Sequence, residues 1–164
     1  ALKNLPVLFV CENNLYSVNS PLSVRQPSNR QITSLSEALN VTATKGDGND
    51  IEQVYKMSNE AIESVVMSKS PRLLEFETYR WREHCGPNYD FDIGYRTEEE
   101  FNAWKTRDPL LKIENHLRKI GVLDEAEIES IYEEIKLEVT TALLFAKNSP
   151  NPSPEDLHQS IYSE

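Results

Sequence analysis

An unbroken apolar run near the start of the chain constrains its fold more than any other feature. Residues 7–11 read VLFVC, and the charged Glu12 and two amides, Asn13 and Asn14, follow at once. A run of branched and aromatic side chains without alternation is typical of a strand buried on both faces of a parallel sheet. Open α/β sheets bind their ligands beyond the carboxyl ends of such strands. The sequence therefore predicts an α/β fold with a ligand site directly after this run.

The two adjacent amides allow two interpretations. Asn side chains often bond to backbone groups within a turn, and spacing alone favours that interpretation. A carboxamide oxygen can also ligate a hard cation such as Mg²⁺ without adding charge. The role of Asn13 and Asn14 therefore depends on what else the chain carries.

The rest of the chain alternates strand and helix and then becomes helical. Residues 1–96 are predicted to form an α/β domain with a parallel sheet, and residues 97–164 a helical extension and tail packed on that domain or on a partner subunit. The last predicted strand, RLLEFET, alternates in part and is expected nearer a sheet edge. The predicted elements are strands at 7–11, 41–44 and 72–78 and helices at 35–39, 50–68 and 125–147.

Capping patterns mark the helix starts, and the last long helix carries an apolar stripe. That stripe either packs on its own domain or meets another subunit. It consists of Ile128, Ile131, Ile135, Val139, Ala142 and Ala146. Capping boxes are predicted for Ser34 with Glu37, Asn49 with Glu52, Thr97 with Glu100 and Asp124 with Glu127, and Pro109 is expected at a first helical position after Asp108.

Composition excludes several classes of partner. The net charge of −10 argues against nucleic acid and anionic membrane surfaces. Two cysteines make no disulfide framework; Cys11 is expected to be an inert core thiol and Cys85 an exposed one. Without an apolar span of about 20 residues, the protein is expected in the cytoplasm, or in the mitochondrial matrix if its source is eukaryotic.

Residues 79–96 form a loop dense in titratable groups. They include three Arg, one His, one Glu and two Asp, and such density beyond a strand end suits a site for a charged ligand. The simpler alternative is a surface network of ion pairs with little energetic value. That network would pair Arg80, Arg82 and Arg96 with Glu83, Asp90 and Asp92.

Several segments resemble one family in the order in which that family carries them. The chain is similar over nearly its whole length to the carboxyl-terminal half of the alpha subunit of thiamine-diphosphate-dependent 2-oxo acid dehydrogenases, the pyruvate, branched-chain and acetoin dehydrogenase group. The matching segments are ENNLY after the first strand, DGNDIEQVY at 47–55, PRLLEFETYRW at 71–81, GYRTEEEF at 94–101, DPLLKIENHL at 108–117 and SPNPSPEDLHQSIY at 149–162.

The resemblance implies a cofactor site and a reaction. It implies that thiamine diphosphate and Mg²⁺ are bound, with the Asn14 side chain and the Tyr16 main-chain carbonyl as metal ligands. Arg80 would donate to the diphosphate as a bidentate partner, and His84 would lie over the cofactor as the catalytic residue that positions substrate. The implied reaction is decarboxylation of a 2-oxo acid with acyl transfer to a lipoyl carrier. The implied partners are a beta subunit, in a heterotetramer, and a lipoyl-bearing acyltransferase component.

One part of the family pattern is missing. The family's Gly-Asp-Gly precedes the Asn pair, whereas Gly46-Asp47-Gly48 follows it and is interpreted as a tight turn in which Gly tolerates positive φ. Since the first strand starts six residues after Ala1, we expect a carboxyl-terminal part of a longer subunit. We also expect that this part alone is inactive.

The loop departs from the family pattern where many members have Gly-His-Ser. This chain has Glu83-His84-Cys85, so no phosphorylatable hydroxyl is present there and kinase control is not predicted. The altered neighbours leave the substrate open. Alternatives are an acetoin-type or biosynthetic thiamine-dependent enzyme, and a non-catalytic interaction module of the same fold.

Overall fold

The chain alternates strands and helices before a helical last third. A computed structural model describes residues 1–159, so the final residues of the predicted tail lie outside the described part. The chain divides into two compact units, residues 1–116 and 117–164. The elements are β1 (Leu8–Asn13), β2 (Tyr16–Ser17), β3 (Ser20–Pro21), α1 (Ile32–Ala38), β4 (Thr42–Asp47), α2 (Ile51–Ser68), β5 (Arg72–Glu77), α3 (Glu98–Lys105), α4 (Pro109–Lys119) and α5 (Glu125–Asn148), with short 3₁₀ turns at Leu22–Val24 and Pro154–His158.

Three parallel strands form the main sheet in the order β1-β5-β4. The α/β fold with a helix-flanked parallel sheet is therefore confirmed, but the predicted places of two strands are wrong. The strand β5 is central, with Leu74 and Glu75 each only 2% exposed, whereas β1 is an outer strand with Val10 56% exposed. An apolar run does not distinguish a central from an outer strand, and the Glu75 charge is accommodated by a hydrogen bond from the Asn13 side chain.

The core lies between the sheet and α2. Leu74 and Phe76 of β5 pack with Ala61 of α2, and Leu8, Val54 and Met57 cover them. The helix predicted at 50–68 is therefore present, and it contacts the sheet through a narrow stripe of apolar side chains. Other apolar side chains of the same helix, Tyr55, Ile62 and Val66, are exposed.

Two of the four predicted caps differ from the structure. Helix α1 begins near Gln31 without a side-chain capping bond, not at Ser34. Helix α2 is capped by Asp50, whose carboxylate accepts from the Gln53 backbone at 3.0 Å. Asn49 is instead buried, donating to the Arg107 carbonyl and accepting from the Thr78 hydroxyl. It links the ends of β4 and β5 to the turn before α4.

The other two caps are at the predicted residues. Asp124 and Glu127 form the full capping box at the start of α5. Thr97 accepts from the Glu100 backbone at 3.1 Å, while the Glu100 carboxylate accepts from the Tyr16 hydroxyl. The Thr97 half of the predicted capping box is therefore formed, whereas the Glu100 side chain makes a tertiary contact with Tyr16.

The glycines of the Gly-Asp-Gly turn serve close packing. The positive-φ glycines of the described chain are Gly94 and Gly121, so the expectation of positive φ at residues 46–48 is wrong. A Cβ at Gly48 would lie 2.9 Å from the Glu77 carbonyl oxygen and 3.0 Å from Thr78 Cβ. At Gly46 the nearest atoms are the flexible ends of Met57 and Gln53.

We therefore expect Gly48→Ala to lower the free energy of unfolding by about 1–3 kcal/mol. The added methyl meets backbone of the central strand, which cannot move without breaking the bond from Gly48 N to Glu77 O. Gly46→Ala is the matched control, with a smaller loss because its neighbours are side-chain ends. Urea unfolding of both variants measures the difference, and equal losses would contradict the assignment.

In the second unit, most of the α5 stripe is uncovered. Ile128 is buried, but Ile131, Ile135 and Val139 are about half exposed. That this stripe packs on its own domain or on another subunit stays a prediction. Within residues 1–159, no helix combines the length and apolar character that a membrane crossing requires.

Candidate functional site

The parallel strands bring the predicted site residues to one edge of the sheet. Because β1 and β5 pair in parallel register up to Asn13 and Glu77, their following residues emerge side by side. An open cleft of about 400 Å³ lies there. Its lining includes Glu12, Asn14, Thr78, Arg80 and Arg82, and we call it the Asn14–Arg80 cleft.

The two adjacent amides have different roles. The Asn13 side chain donates to Glu75 at 2.8 Å and accepts from the Leu15 backbone at 3.1 Å. The Asn14 oxygen accepts from the Tyr16 backbone at 3.0 Å, and no partner for its Nδ2 is found within the described residues. Asn13 is thus structural, while Asn14 keeps one oxygen lone pair and its amide donor available in the cleft.

The Tyr16 side chain is half-buried and held by two neighbouring side chains. Its hydroxyl donates to both carboxylate oxygens of Glu100 at 2.8 Å, and its ring meets the edge of Tyr95 at 5.5 Å. Burial, followed by the Glu100 hydrogen bond and charge, raises the pKa of Tyr16 well above its ordinary value. This anchoring holds the segment that contains the predicted carbonyl ligand.

Arg80 is oriented by four acceptors. Its Nε donates to the Arg82 carbonyl at 2.9 Å, and its Nη2 to the Tyr95 hydroxyl at 2.7 Å, the Val18 carbonyl at 3.2 Å and Asp90 at 3.3 Å. Among the described residues no partner of Nη1 is found. The guanidinium is therefore held in place with one nitrogen available to an anionic ligand in the cleft.

Arg80 also contacts a buried ion pair, Asp90 with Arg96. Asp90 bonds to Arg96 and also accepts from the Tyr95 hydroxyl, and the Asp90 and Arg96 side chains are 2% and 0% exposed. Burial raises the pKa of Asp90, but hydrogen bonds from Tyr95 and Arg96 and the charges of Arg96 and Arg80 outweigh it, so the pKa lies below its ordinary value. The alternative of a purely superficial network is wrong for this pair.

Asp90 and Tyr95 were missed as supporting residues in the sequence. The sequence identifies Asp90 only as one of several charged residues of the loop, and Tyr95 only as part of the matching segment GYRTEEEF. No spacing rule for helices or strands applies inside an irregular loop, so their convergence on Arg80 has no local signal. The nearest hint is that an Asp and an Arg six residues apart flank a tyrosine in a charge-rich loop.

His84 lies apart from the other predicted site residues. It is exposed in the loop, and the residues that line the Asn14–Arg80 cleft extend only to Arg82. Its neighbour Cys85 is exposed, as predicted. Within the described chain, the structure therefore brings Asn14 and Arg80 together and leaves His84 exposed, further along the same loop as Arg80 and outside the lining of the cleft.

Asp47 of the Gly-Asp-Gly turn accepts hydrogen bonds from two neighbours. Asp47 accepts from the Asn49 backbone and from Arg107, each at 2.8 Å. Burial raises the pKa of Asp47, but these hydrogen bonds and the Arg107 charge outweigh it and lower the pKa. Residues 1–159 contain no group of three or more His, Cys, Asp or Glu side chains that could hold a metal ion. The two bonds that Asp47 accepts agree with the interpretation of Gly46-Asp47-Gly48 as a structural turn.

Cys11 is less buried than predicted. It is half-buried on the outer strand β1. Burial, then the charges of Glu75 and Glu12, raise the pKa of its thiol. A raised pKa lowers the thiolate fraction, so the expectation of low reactivity stays.

These features define an α/β domain with an open cleft at the carboxyl edge of a parallel sheet, the edge at which folds of this class bind ligands. The chain belongs to the dehydrogenase E1 component family, whose model matches residues 1–155. It is 32% identical over 162 residues to the pyruvate dehydrogenase E1 component subunit alpha of Rickettsia bellii, covering 99% of this chain and 48% of the relative.

Two further relatives carry different names. Identity is 31% to the 2-oxoisovalerate dehydrogenase subunit alpha of Bacillus subtilis, over 100% of this chain and 49% of the relative. It is 33% to the pyruvate dehydrogenase E1 component subunit alpha of Zymomonas mobilis, over 98% of this chain and 44% of the relative. The chain thus spans about half the length of these relatives and represents part of an E1 alpha subunit.

Proposed function

We propose that this chain provides part of the thiamine diphosphate and Mg²⁺ site of a 2-oxo acid dehydrogenase. The observation that carries the proposal is the Asn14–Arg80 cleft, in which a neutral oxygen donor and an oriented guanidinium meet at the carboxyl edge of the sheet. Together with the family membership of the chain, this placement supports cofactor-binding roles for Asn14 and Arg80. The role of Tyr16 is supported by its place next to Asn14, whose side-chain oxygen accepts from the Tyr16 backbone.

The donor set fits the proposed group in part. Asn14 Oδ1 is a hard, neutral ligand of the kind that Mg²⁺ accepts, and Arg80 Nη1 suits a phosphate oxygen. The absence of an acidic cluster within residues 1–159 means that the described chain supplies only part of a metal site. Asn14 would hold the cation with the Tyr16 carbonyl, and Arg80 would orient the diphosphate.

The proposed reaction is decarboxylation of a 2-oxo acid followed by acyl transfer to a lipoyl carrier. When bound, thiamine diphosphate supplies the electron sink for loss of carbon dioxide. The protein groups bind, orient and exclude water. His84 is assigned a proton-donating or hydrogen-bonding role toward substrate, which requires its exposed loop to close over the cleft. A beta subunit and a lipoyl-bearing acyltransferase component are the proposed partners.

The second candidate is a thiamine-dependent enzyme that releases its acyl or aldehyde unit elsewhere, as in acetoin cleavage. The observation that favours it is the loop 83–88, where the Glu83 carboxylate bonds to Asn88. Such a contact needs a side-chain oxygen acceptor at residue 83, where many members of the family that the chain resembles have Gly. The third candidate, a non-catalytic interaction module, gives no ligand-binding role to Asn14 and Arg80.

The test is an assay of the full subunit assembled with its beta partner. Pyruvate, branched-chain 2-oxo acids and acetoin are each supplied with a lipoyl acceptor and with an artificial electron acceptor. Turnover that requires the lipoyl acceptor supports the dehydrogenase, and turnover of acetoin with the artificial acceptor alone supports the second candidate. The isolated chain is expected to turn over none of them. A complex inactive on every substrate despite bound cofactor would favour the non-catalytic module.

A further inference from the structure

The tip of the charge-rich loop is closed by a specific set of contacts. Glu83 N donates to the Asn88 carbonyl at 2.9 Å. In return, Glu83 Oε1 accepts from the Asn88 backbone at 3.2 Å and from its side-chain amide at 2.9 Å. We call these three bonds the Glu83–Asn88 clamp. They enclose residues 84–87, which include His84.

Neighbouring residues hold the base of the same turn. Arg82 Nη1 donates to the Pro87 carbonyl at 2.8 Å, and its guanidinium lies 4.0 Å from the centre of the Tyr89 ring. A cation over an aromatic face is attractive even at exposed sites. Arg82 therefore connects the clamp to the cleft. It lines the cleft, and its carbonyl accepts a hydrogen bond from Arg80.

Gly86 makes room for the clamp. A Cβ at Gly86 would overlap Glu83 Oε1 and lie 2.9 Å from Glu83 Cδ. The carboxylate therefore folds directly over the backbone of residue 86. Since that neighbour is the end of a flexible side chain, a methyl group there would displace the carboxylate rather than the fold.

We propose that Glu83 is a positioning residue that sets the placement of His84 by fixing the backbone turn that carries it. His84 is exposed, and within residues 1–159 no hydrogen bond to its ring is found. The position of His84 is therefore determined by the backbone of the turn, and the Glu83–Asn88 clamp fixes that backbone. The inference rests on the proposed function, in which His84 acts on substrate.

The clamp has a direct consequence for turnover. A reacting group displaced by about 1 Å can lose about a hundredfold in rate. Loss of the carboxylate removes two of the three clamp bonds and leaves Asn14 and Arg80 untouched. The expected result is a lower kcat with an unchanged Kd for the cofactor.

The experiment compares four variants of the full subunit assembled with its beta partner. Glu83→Ala removes the acceptor, Glu83→Gln keeps a side-chain oxygen at the same place, and Gly86→Ala displaces the carboxylate. Asp92→Ala is the matched control, since Asp92 is an exposed acid of the same loop for which no bond is found in the described chain. Amide hydrogen exchange at residue 88 reports the clamp, and kcat and cofactor affinity report its effect.

We expect Glu83→Ala and Gly86→Ala to speed exchange of the Asn88 amide about tenfold and to lower kcat about ten- to a hundredfold. Glu83→Gln is expected to restore most of both values. The double variant Glu83→Ala/Gly86→Ala is expected to match Glu83→Ala alone, because the clash needs the carboxylate. Asp92→Ala should leave exchange and kcat unchanged.

The outcomes separate this inference from the proposed function. Faster exchange with unchanged kcat in an active enzyme overturns the positioning role of Glu83. Unchanged exchange in Glu83→Ala overturns the clamp itself. If the unsubstituted complex is inactive on every substrate, the proposed function fails and the role toward substrate fails with it, while the exchange rates still decide whether Glu83 orders the loop.

Discussion

Replacing Asp90 with alanine is expected to lower the free energy of unfolding of the chain by about 3–5 kcal/mol. The substitution leaves the Arg96 guanidinium buried without its counter-charge, since the Arg96 side chain is 0% exposed. It also removes an acceptor from Arg80 and from the Tyr95 hydroxyl. Urea unfolding at neutral pH measures the loss.

The controls for this prediction come from the same loop. Asp92→Ala removes an exposed acid and should change stability by less than about 0.5 kcal/mol. Tyr95 and Arg96 donate to different oxygens of Asp90, so Asp90→Asn keeps an acceptor for one of the two and should lose less stability than Asp90→Ala. A loss below about 1 kcal/mol for Asp90→Ala would contradict the buried ion pair and return Asp90 to a superficial role.

The pH dependence of stability gives the same contact a second signature. The pKa of Asp90 is lower in the folded chain than its ordinary value, so the folded state favours the charged carboxylate. This contribution is fully present above the ordinary aspartate pKa, about 3.9, and is lost as the pH falls through the lower, folded value. Asp90→Asn should therefore flatten the acid limb of the stability curve.

The fold class was predictable because backbone periodicity carries it. The apolar run at the start, the helices and the alternation of strand with helix are local features, and each is present in the structure, although two of the four predicted caps lie at other residues. The order of the strands is not local. The charges in RLLEFET suggested an outer strand, but Glu75 is buried by its partners on the neighbouring strands, the Asn13 amide and Lys45 at 3.9 Å.

The candidate site was predictable to the extent that strand ends determine it. Asn14 and Arg80 follow paired strands, so the topology itself places them in one cleft. The supporting contacts arise from irregular backbone, where no periodicity applies. The link from Tyr16 to Glu100 spans 84 residues, and the Glu83–Asn88 clamp depends on how a loop closes on itself.

The adjacent amides Asn13 and Asn14 are expected to respond in opposite ways to the same substitution. In the assembled subunit, Asn14→Ala should weaken Mg²⁺-dependent binding of thiamine diphosphate about 100-fold or more. Loss of a residue behind a metal ligand already costs about 10- to 100-fold, and Asn14 is proposed as a ligand itself. Its stability should change little, because its one described bond is to the Tyr16 backbone within the turn.

Asn13→Ala reverses this pattern. Asn13 donates to Glu75, whose side chain is 2% exposed and whose Oε2 has no partner among the described residues. Removing the donor leaves a buried carboxylate with less compensation and should cost about 1–3 kcal/mol of stability. Cofactor affinity should fall far less than in Asn14→Ala. Titration calorimetry with thiamine diphosphate and Mg²⁺, beside urea unfolding, measures both properties for each variant. Equal cofactor affinity in the two variants would remove Asn14 from the site, because only the proposed ligand role distinguishes these neighbouring amides in binding.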